Sequence, residues 1–422
     1  SKSAGAKHRA GSIPASGTSL LTHKGTHARP LRAPVNRHSS HSLRTDAMSQ
    51  LFSPIALSSP QGPLHLANRI VIAPMCQYAC DLDGKANDWH LMHWGNLLNS
   101  GAGLLMIEAT AVTAQGRITP NCLGLWDDAT AQALADTLAR ARKLAPPVPV
   151  CLQIAHSGRK GSSAQPWHGG MLLGKDRGGW ETIAPSPIHL LDGEAPPHEI
   201  DLEGLKAIEN AFRKAAERAQ AMGLDMLELH GAHGYLLHEF LSPIANQRQD
   251  AYGGSLANRT RFPLQVFKAV REVFHGVLGM RLSASDWIEG GWNLEETTEF
   301  TRMLKDAGAN FVHVSSGGIA PQQKINIGPG YQVPFARHIK HATGLPTIAV
   351  GLITEPQQAE AVLQAGDADM VALGRTFLFK PRWGWEAAAA LGGEVQATSQ
   401  YWRSLPREAT GIFGSNAKIG MR

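Results

Sequence analysis

The chain has 422 residues, 43% hydrophobic and 18% charged, which fits one large α/β barrel or two average domains with an ample core. Its formal charge of +5 misleads. The first 47 residues hold eight Lys or Arg against Asp46 alone, a balance of +7, so the rest of the chain carries −2 and offers no case for nucleic-acid binding. No run of about 18 apolar residues occurs, which argues against a membrane span. The four scattered cysteines, Cys76, Cys80, Cys122 and Cys151, argue against a secreted disulfide scaffold and for a reducing, cytoplasmic setting.

Residues 1–47 are rich in Ser, His, Arg, Gly and Pro and lack the apolar centre of a secretory signal. They read as a disordered basic leader: a transit-like segment (which would make the protein organellar), an artificial expression leader or an over-extended start before Met48. Residues 48–422 read as a single domain. Phe52 to Leu66 suggests a hairpin plugging a barrel bottom. Strands are then expected at 69–75, 103–108, 148–154, 224–229, 278–283, 310–315, 346–350 and 369–373. Helices are expected at 89–100, 129–144, 201–222, 258–274, 294–307 and 356–364, with a closing helix after Pro381. Asp201 and Asn293 are candidate caps. Residues 157–199 form a long insertion after strand three, full of Gly, Pro and Trp, of the kind that is usually functional. Eight βα units of this size predict an α/β fold, a (β/α)8 barrel with an N-terminal hairpin plug and that excursion.

In such a barrel the active site stands where the strands end. Strand four passes there into H-G-A-H-G-Y, which puts His230, His233 and Tyr235 within six positions. Gly231 and Gly234 are expected to allow a tight turn. Two imidazoles and a phenol are a donor set for holding a carbonyl oxygen and delivering a proton. Half a metal site is the other reading, but no further ligand stands at suitable spacing. Gln153 and Arg281 are polar residues inside apolar strands, which is costly unless a ligand or partner satisfies them. The glycines after strands seven and eight, Gly351 and Gly374, with Arg375, suit a barrel phosphate cradle, and Gly318 at the end of strand six is a further cofactor-binding candidate. A phosphate site at one edge, an amide and a guanidinium in the middle and a His pair beyond describe a site for flavin mononucleotide (FMN).

These residues resemble the Old Yellow Enzyme family of flavin-dependent ene-reductases, and most closely its xenobiotic-reductase or thermophilic-like branch. The matching motifs are A-P-M-C-Q-Y at 73–78, N-D-W-H at 87–90, G-R-I-T-P at 116–120, Q-I-A-H-S-G-R-K at 153–160, R-G-G-W-E-T-I-A-P-S at 177–186, H-G-A-H-G-Y at 230–235, A-Y-G-G-S-L-A-N-R at 251–259 and L-G-R at 373–375. The resemblance implies non-covalent FMN, NADPH or NADH as donor, and reduction of alkenes conjugated to an electron-withdrawing group. It implies that Gln153 and Arg281 bond the flavin pyrimidine edge, where a fixed cation stabilises charge that builds on reduction. Ala73, Pro74, Met75, Cys76 and Ala109 would line the flavin, with the Cys76 thiol tuning it. Cys80 is read as inert, and His156 and Lys160 as structural. His230 and His233 would grip the substrate oxygen, Tyr235 would protonate the α-carbon, and Tyr78 would be a second substrate-contacting phenol. The branch forms dimers or tetramers in which a C-terminal residue, here Trp402 or Arg403, reaches the neighbour's active site. One departure stands out: the branch has Trp in the loop after strand six, where this chain offers Ile327. Quinones or xenobiotics as main acceptors, or flavin binding without turnover, are the alternative readings. A flavin-free lyase or aldolase would want a Schiff-base Lys or metal ligands at strand ends, and none is evident.

Overall fold

Short strands that are apolar on both faces can satisfy their backbones only by pairing with one another inside a covering of helices. The computed structural model describes residues 49–415 and 417, and in it eight such strands close into a parallel barrel. In chain order they are Ile70–Ile72, Leu104–Ala111, Val150–Ala155, Met226–Gly231, Val277–Ser283, Phe311–Ser315, Thr347–Val350 and Met370–Leu373, and the eighth pairs with the first. The expected (β/α)8 barrel is the observed one. The leader expected at 1–47 lies outside the described residues.

The covering helices include Asp88–Leu98, Asp128–Arg142, Leu202–Ala221, Leu256–Val273, Leu294–Asp306, Val333–Thr343, Pro356–Gln364 and Trp383–Leu391. Their starts are set by local chemistry. The Asp201 and Asn293 side chains accept from the backbone N–H of Gly204 and Glu296, as expected of caps. Asn87 and His90 cap the first helix reciprocally. Three helices escaped the sequence reading: Leu236–Leu241, Val333–Thr343 and Arg375–Phe379. Two are a turn or so long, and the third follows a Gly- and Pro-rich stretch that hides its start.

The hairpin plug is present as Ile55–Leu57 paired antiparallel with Leu64–Leu66. Leu57 and Leu66 are buried against Val71, Met106, Cys151, Met226, Val277 and Phe311, which sit at or near the starts of barrel strands. The hairpin therefore closes the barrel interior from below. Over that face lies the excursion, three single turns at Gly158–Lys160, Pro166–His168 and Lys175–Arg177 and a two-residue pairing of Ile183–Ala184 with His198–Glu199. Among the described residues no helix is long and apolar enough to cross a membrane.

Candidate active site

Strand four runs two residues beyond its apolar run, so His230 and Gly231 belong to it. Gly231 does not turn the chain, contrary to expectation. A side chain there would press on the Met280 sulfur and the Arg281 carbonyl, so the fifth strand's closeness requires the glycine. The turn comes at His233 and Gly234, with φ of 60° and 73°. A Cβ on Gly234 would run into the Gly318 backbone. His233 is strained in this region by about 1–2 kcal/mol, and the surroundings hold it there. Its N–H donates to Ser283 Oγ at 3.0 Å, and Lys160 Nζ donates to its carbonyl at 2.7 Å and to that of Gly318 at 2.6 Å. Gly234 N–H donates to His238 Nδ1 at 2.9 Å. His238 Nε2 stands 3.0 Å from the fully buried Asp286. Lys160 is thus structural, as read, but what it holds is the strained turn.

The turn brings the three predicted residues together. His230 and His233 rings lie 5.1 Å apart and His230 and Tyr235 rings 4.7 Å, both edge to face. His230 Nε2 and His233 Nδ1 approach to 3.3 Å. Burial, with Arg281 nearby, holds both imidazoles well below their usual pKa, so they are neutral. Burial pushes the Tyr235 phenol well up, which keeps its proton in place. Lys160 is brought down by burial to about 8, and its ammonium lies 5.6 Å from the Tyr235 ring centre.

Beside this cluster opens a cavity of about 470 Å3. It is lined by Pro74, Met75, His233, Arg281, Gly318, Gly351, Gly374 and Arg375 from the sequence reading. Ser315, Ser316, Tyr331 and Gln332 line it too. Ala73 and Gln153 are buried at the neighbouring strand ends. Ala109 instead shares a small separate void with Tyr235. Arg281 is buried with its Nε unpartnered, and among the described residues no carboxylate pairs with it. Gly351, at φ 126°, leaves no room for a side chain against Gln332. A buried guanidinium with no paired carboxylate, glycine walls and a second guanidinium at Arg375 fit an anionic cofactor such as FMN.

Gln153 and Arg281 part company here. Gln153 already donates from Nε2 to Glu228 Oε1 at 2.6 Å, which leaves its own carbonyl oxygen free. The other Glu228 oxygen lies 2.9 Å from His313 Nδ1. Glu228 and His313 are fully buried, and the sequence reading passed over both. The rule that found Gln153, a polar residue inside an apolar strand, would have found them. Gln332 carried no such signal.

At strand one, Gln77 N–H donates to the buried Glu108 carboxyl at 2.8 Å, beneath a turn in which Tyr78 has φ 51°. Burial, then the Glu108 charge, push the Cys76 thiol up, so it is a thiol rather than a thiolate. The Tyr78 ring meets Trp167 of the excursion at 5.9 Å, edge to face. Ile327, which stands where the branch has Trp, points to solvent at 69% exposed, and Ile325 lines the cavity. The cause is that Gly318 N–H donates to Gln323 Oε1 at 2.6 Å, which folds the loop back on itself. At the C-terminus Trp402 donates to the Ala397 carbonyl of its own chain, while Arg403 is exposed. His156 is buried, its Nδ1 accepting from Gly158 N–H at 3.1 Å, a structural use. Among the described residues no group of His, Cys, Asp and Glu is placed to hold a metal ion.

Comparison with known proteins finds a family and several similar proteins and structures. The model of the NADH:flavin oxidoreductase / NADH oxidase family matches residues 50–392. An NADPH dehydrogenase of Geobacillus thermodenitrificans is 42% identical over 354 residues, covering 84% of this chain and 98% of that protein. Morphinone reductase, solved in complex with tetrahydroNAD, superposes with a TM-score of 0.65 at 26% identity, covering 82% of this chain and 92% of that one. The Old Yellow Enzyme homologue of Zymomonas mobilis shares the fold, with a TM-score of 0.65 at 22% identity over 85% of this chain and 98% of that one.

Proposed function

The chain belongs to the NADH:flavin oxidoreductase / NADH oxidase family, the Old Yellow Enzymes, and is an FMN-dependent NAD(P)H oxidoreductase; from that premise we propose that it reduces the C=C bond of α,β-unsaturated carbonyl compounds and similar activated alkenes. The observation that carries this reading is the convergence of His230 Nε2, His233 Nδ1 and the Tyr235 ring beside the cavity. Flavin retention alone needs none of the three.

Bound FMN, reduced by the nicotinamide donor, supplies the hydride. His230 and His233 hold the carbonyl oxygen of the enone and draw electrons from the β-carbon. Being neutral, they polarise without surrendering a proton. Tyr235 keeps its proton in this buried setting and delivers it to the α-carbon. Tyr78 and Trp167 close the substrate side. NADPH is the favoured donor, in keeping with the name of the bacterial relative. The active form is a dimer or tetramer, and Arg403 is the residue offered to the neighbour, because Trp402 is engaged within its own chain.

Stopped-flow measurement of the two half-reactions tests this. Tyr235→Phe should leave flavin reduction by NADPH intact and slow reoxidation by cyclohexenone by roughly 10²–10⁴-fold. It should also leave the long-wavelength charge-transfer band with p-hydroxybenzaldehyde nearly unchanged, whereas replacing both histidines by Ala should abolish it. Slowed flavin reduction with untouched enone reduction would remove Tyr235 from the role. Turnover of quinones without turnover of enones in the wild type would favour a quinone reductase.

A further inference from the structure

For a neutral imidazole the tautomer decides everything, because only one nitrogen carries a hydrogen. His230 is settled locally. Its Nδ1 lies 3.2 Å from Ala232 N–H and accepts from it, so the hydrogen is on Nε2. That N–H faces His233 Nδ1 at 3.3 Å. Two arrangements of His233 are then open. With its hydrogen on Nε2, Nδ1 accepts from His230, and the pair is bonded to itself with no donor left for a ligand. With its hydrogen on Nδ1, both facing nitrogens carry hydrogens and need an oxygen to receive them.

The choice falls to what meets His233 Nε2, and that is Ser315 Oγ, at 2.7 Å. The serine hydroxyl has one other acceptor in reach, Gln332 Oε1, at 3.4 Å. That oxygen already accepts from Ser316 Oγ at 2.7 Å. The shorter and less contested partner is the imidazole. Ser315 is 3% exposed at the end of strand six, where it also lines the cavity.

The geometry points to Ser315 as the residue that sets the tautomer of His233: its hydroxyl donates to Nε2, which places the hydrogen on Nδ1 and makes the His pair a convergent two-donor clamp for an anionic or polarised oxygen. Ser315 is therefore a positioning residue acting through His233. The inference rests on the reading that the His pair grips the substrate oxygen. The neutrality of both rings, imposed by burial, is what gives a single hydroxyl this leverage.

A double-mutant cycle on the FMN-loaded enzyme tests it, with p-hydroxybenzaldehyde as the probe and its charge-transfer band as the readout. Ser315→Ala should weaken the phenolate about 10-fold, as expected for losing one hydrogen bond to a charged oxygen, at unchanged FMN content. Ser315→Thr, which keeps the hydroxyl, should restore most of the affinity. In a His233→Ala background, Ser315→Ala should change nothing further. Two-bond ¹⁵N–¹H spectra of histidine-labelled protein should show His233 with its hydrogen on Nδ1 in wild type and on Nε2 in Ser315→Ala. An equal loss from Ser315→Ala with and without His233, or an unaltered tautomer, overturns the inference. If His233→Ala alone leaves phenolate binding intact, it is the clamp reading that fails.

Discussion

Glu228→Gln is the change that most sharply tests how the flavin site is supported from below. The carboxylate is fully buried and serves two donors, Gln153 Nε2 at 2.6 Å and His313 Nδ1 at 2.9 Å. The amide that replaces it can accept from only one of them and presents an NH2 to the other. One buried donor is thus left unsatisfied, at about 1–3 kcal/mol, and Glu228→Ala leaves two, at about 2–6 kcal/mol. Gln153 can relax in Glu228→Gln by reversing its amide, which presents NH2 to the cavity where oxygen stood. Loss of the carboxylate also removes a nearby negative charge that favours the cationic form of Arg281. FMN should bind about 10-fold more weakly, the equivalent of one lost hydrogen bond. Guanidinium-chloride midpoints and the recovery of free FMN fluorescence on dilution measure the two effects separately. A variant that unfolds at the wild-type midpoint and retains FMN equally well would refute the account of Gln153 as an amide oriented by Glu228.

The remaining expectations concern the cavity walls. The protein should purify yellow with one FMN per chain, and Arg281→Ala should lose or loosen the flavin, since a buried guanidinium without a protein anion waits for a ligand; tight FMN in that variant would make Arg281 merely structural. Cys76→Ala should keep the flavin but shift its reduction potential and the balance of the half-reactions, because the site holds a neutral thiol there. An unchanged potential in a dye-coupled titration would return Cys76 to simple packing.

Much of the site was legible because it sits on strand ends, where the period and the punctuation of the chain are strong. His230, His233, Tyr235, Arg281 and the glycines of strands seven and eight could be placed on one face from sequence order alone. What was not legible depends on contacts across many residues. Nothing in the run from Gly328 to Gln332 shows that Gln332 reaches the Val350 carbonyl and Ser316. The reversal of roles between Ile325 and Ile327 turns on a single side chain, Gln323, that folds its loop. Gly231 was read as a turn because glycine serves turns and close approaches alike, and only the distance to Met280 tells them apart. Glu228 and His313, by contrast, were visible and were missed.

The pH dependence of stability follows from groups that are buried in their neutral state. Burial holds His156 at about 3 and His90 and His93 at about 4, and it lowers His230, His233 and His313 as well. These six imidazoles stay neutral in the fold where the unfolded chain would protonate them near 6.5. Glu108 and Glu239 go the other way, pushed up by burial to about 8, where the unfolded chain would ionise near 4.5. The signs oppose. Between about pH 4 and 6.5 the unfolded state binds more protons on the histidines, so their contribution to stability grows with pH. Between 4.5 and 8 the folded state binds more protons on the two carboxyls, so theirs shrinks. Six groups outweigh two below 6.5; above it the carboxyls dominate until Lys160, brought down by burial to about 8, loses its proton in the fold and offsets part of their decline. Stability should therefore peak near pH 6.5 and decline toward pH 8 by at most about 4 kcal/mol, each carboxyl contributing roughly 1.4 kcal/mol per pH unit. Denaturant midpoints from pH 4.5 to 8.5, with FMN in excess throughout, give the profile. Glu108→Gln, neutral at every pH, should remove about half of the alkaline decline and leave the acid limb as it is. A wild-type profile that stays level between pH 6.5 and 8, or an alkaline limb that Glu108→Gln does not change, would show that Glu108 is ionised in the fold and that its charge is met by a partner other than His90, 3.7 Å away.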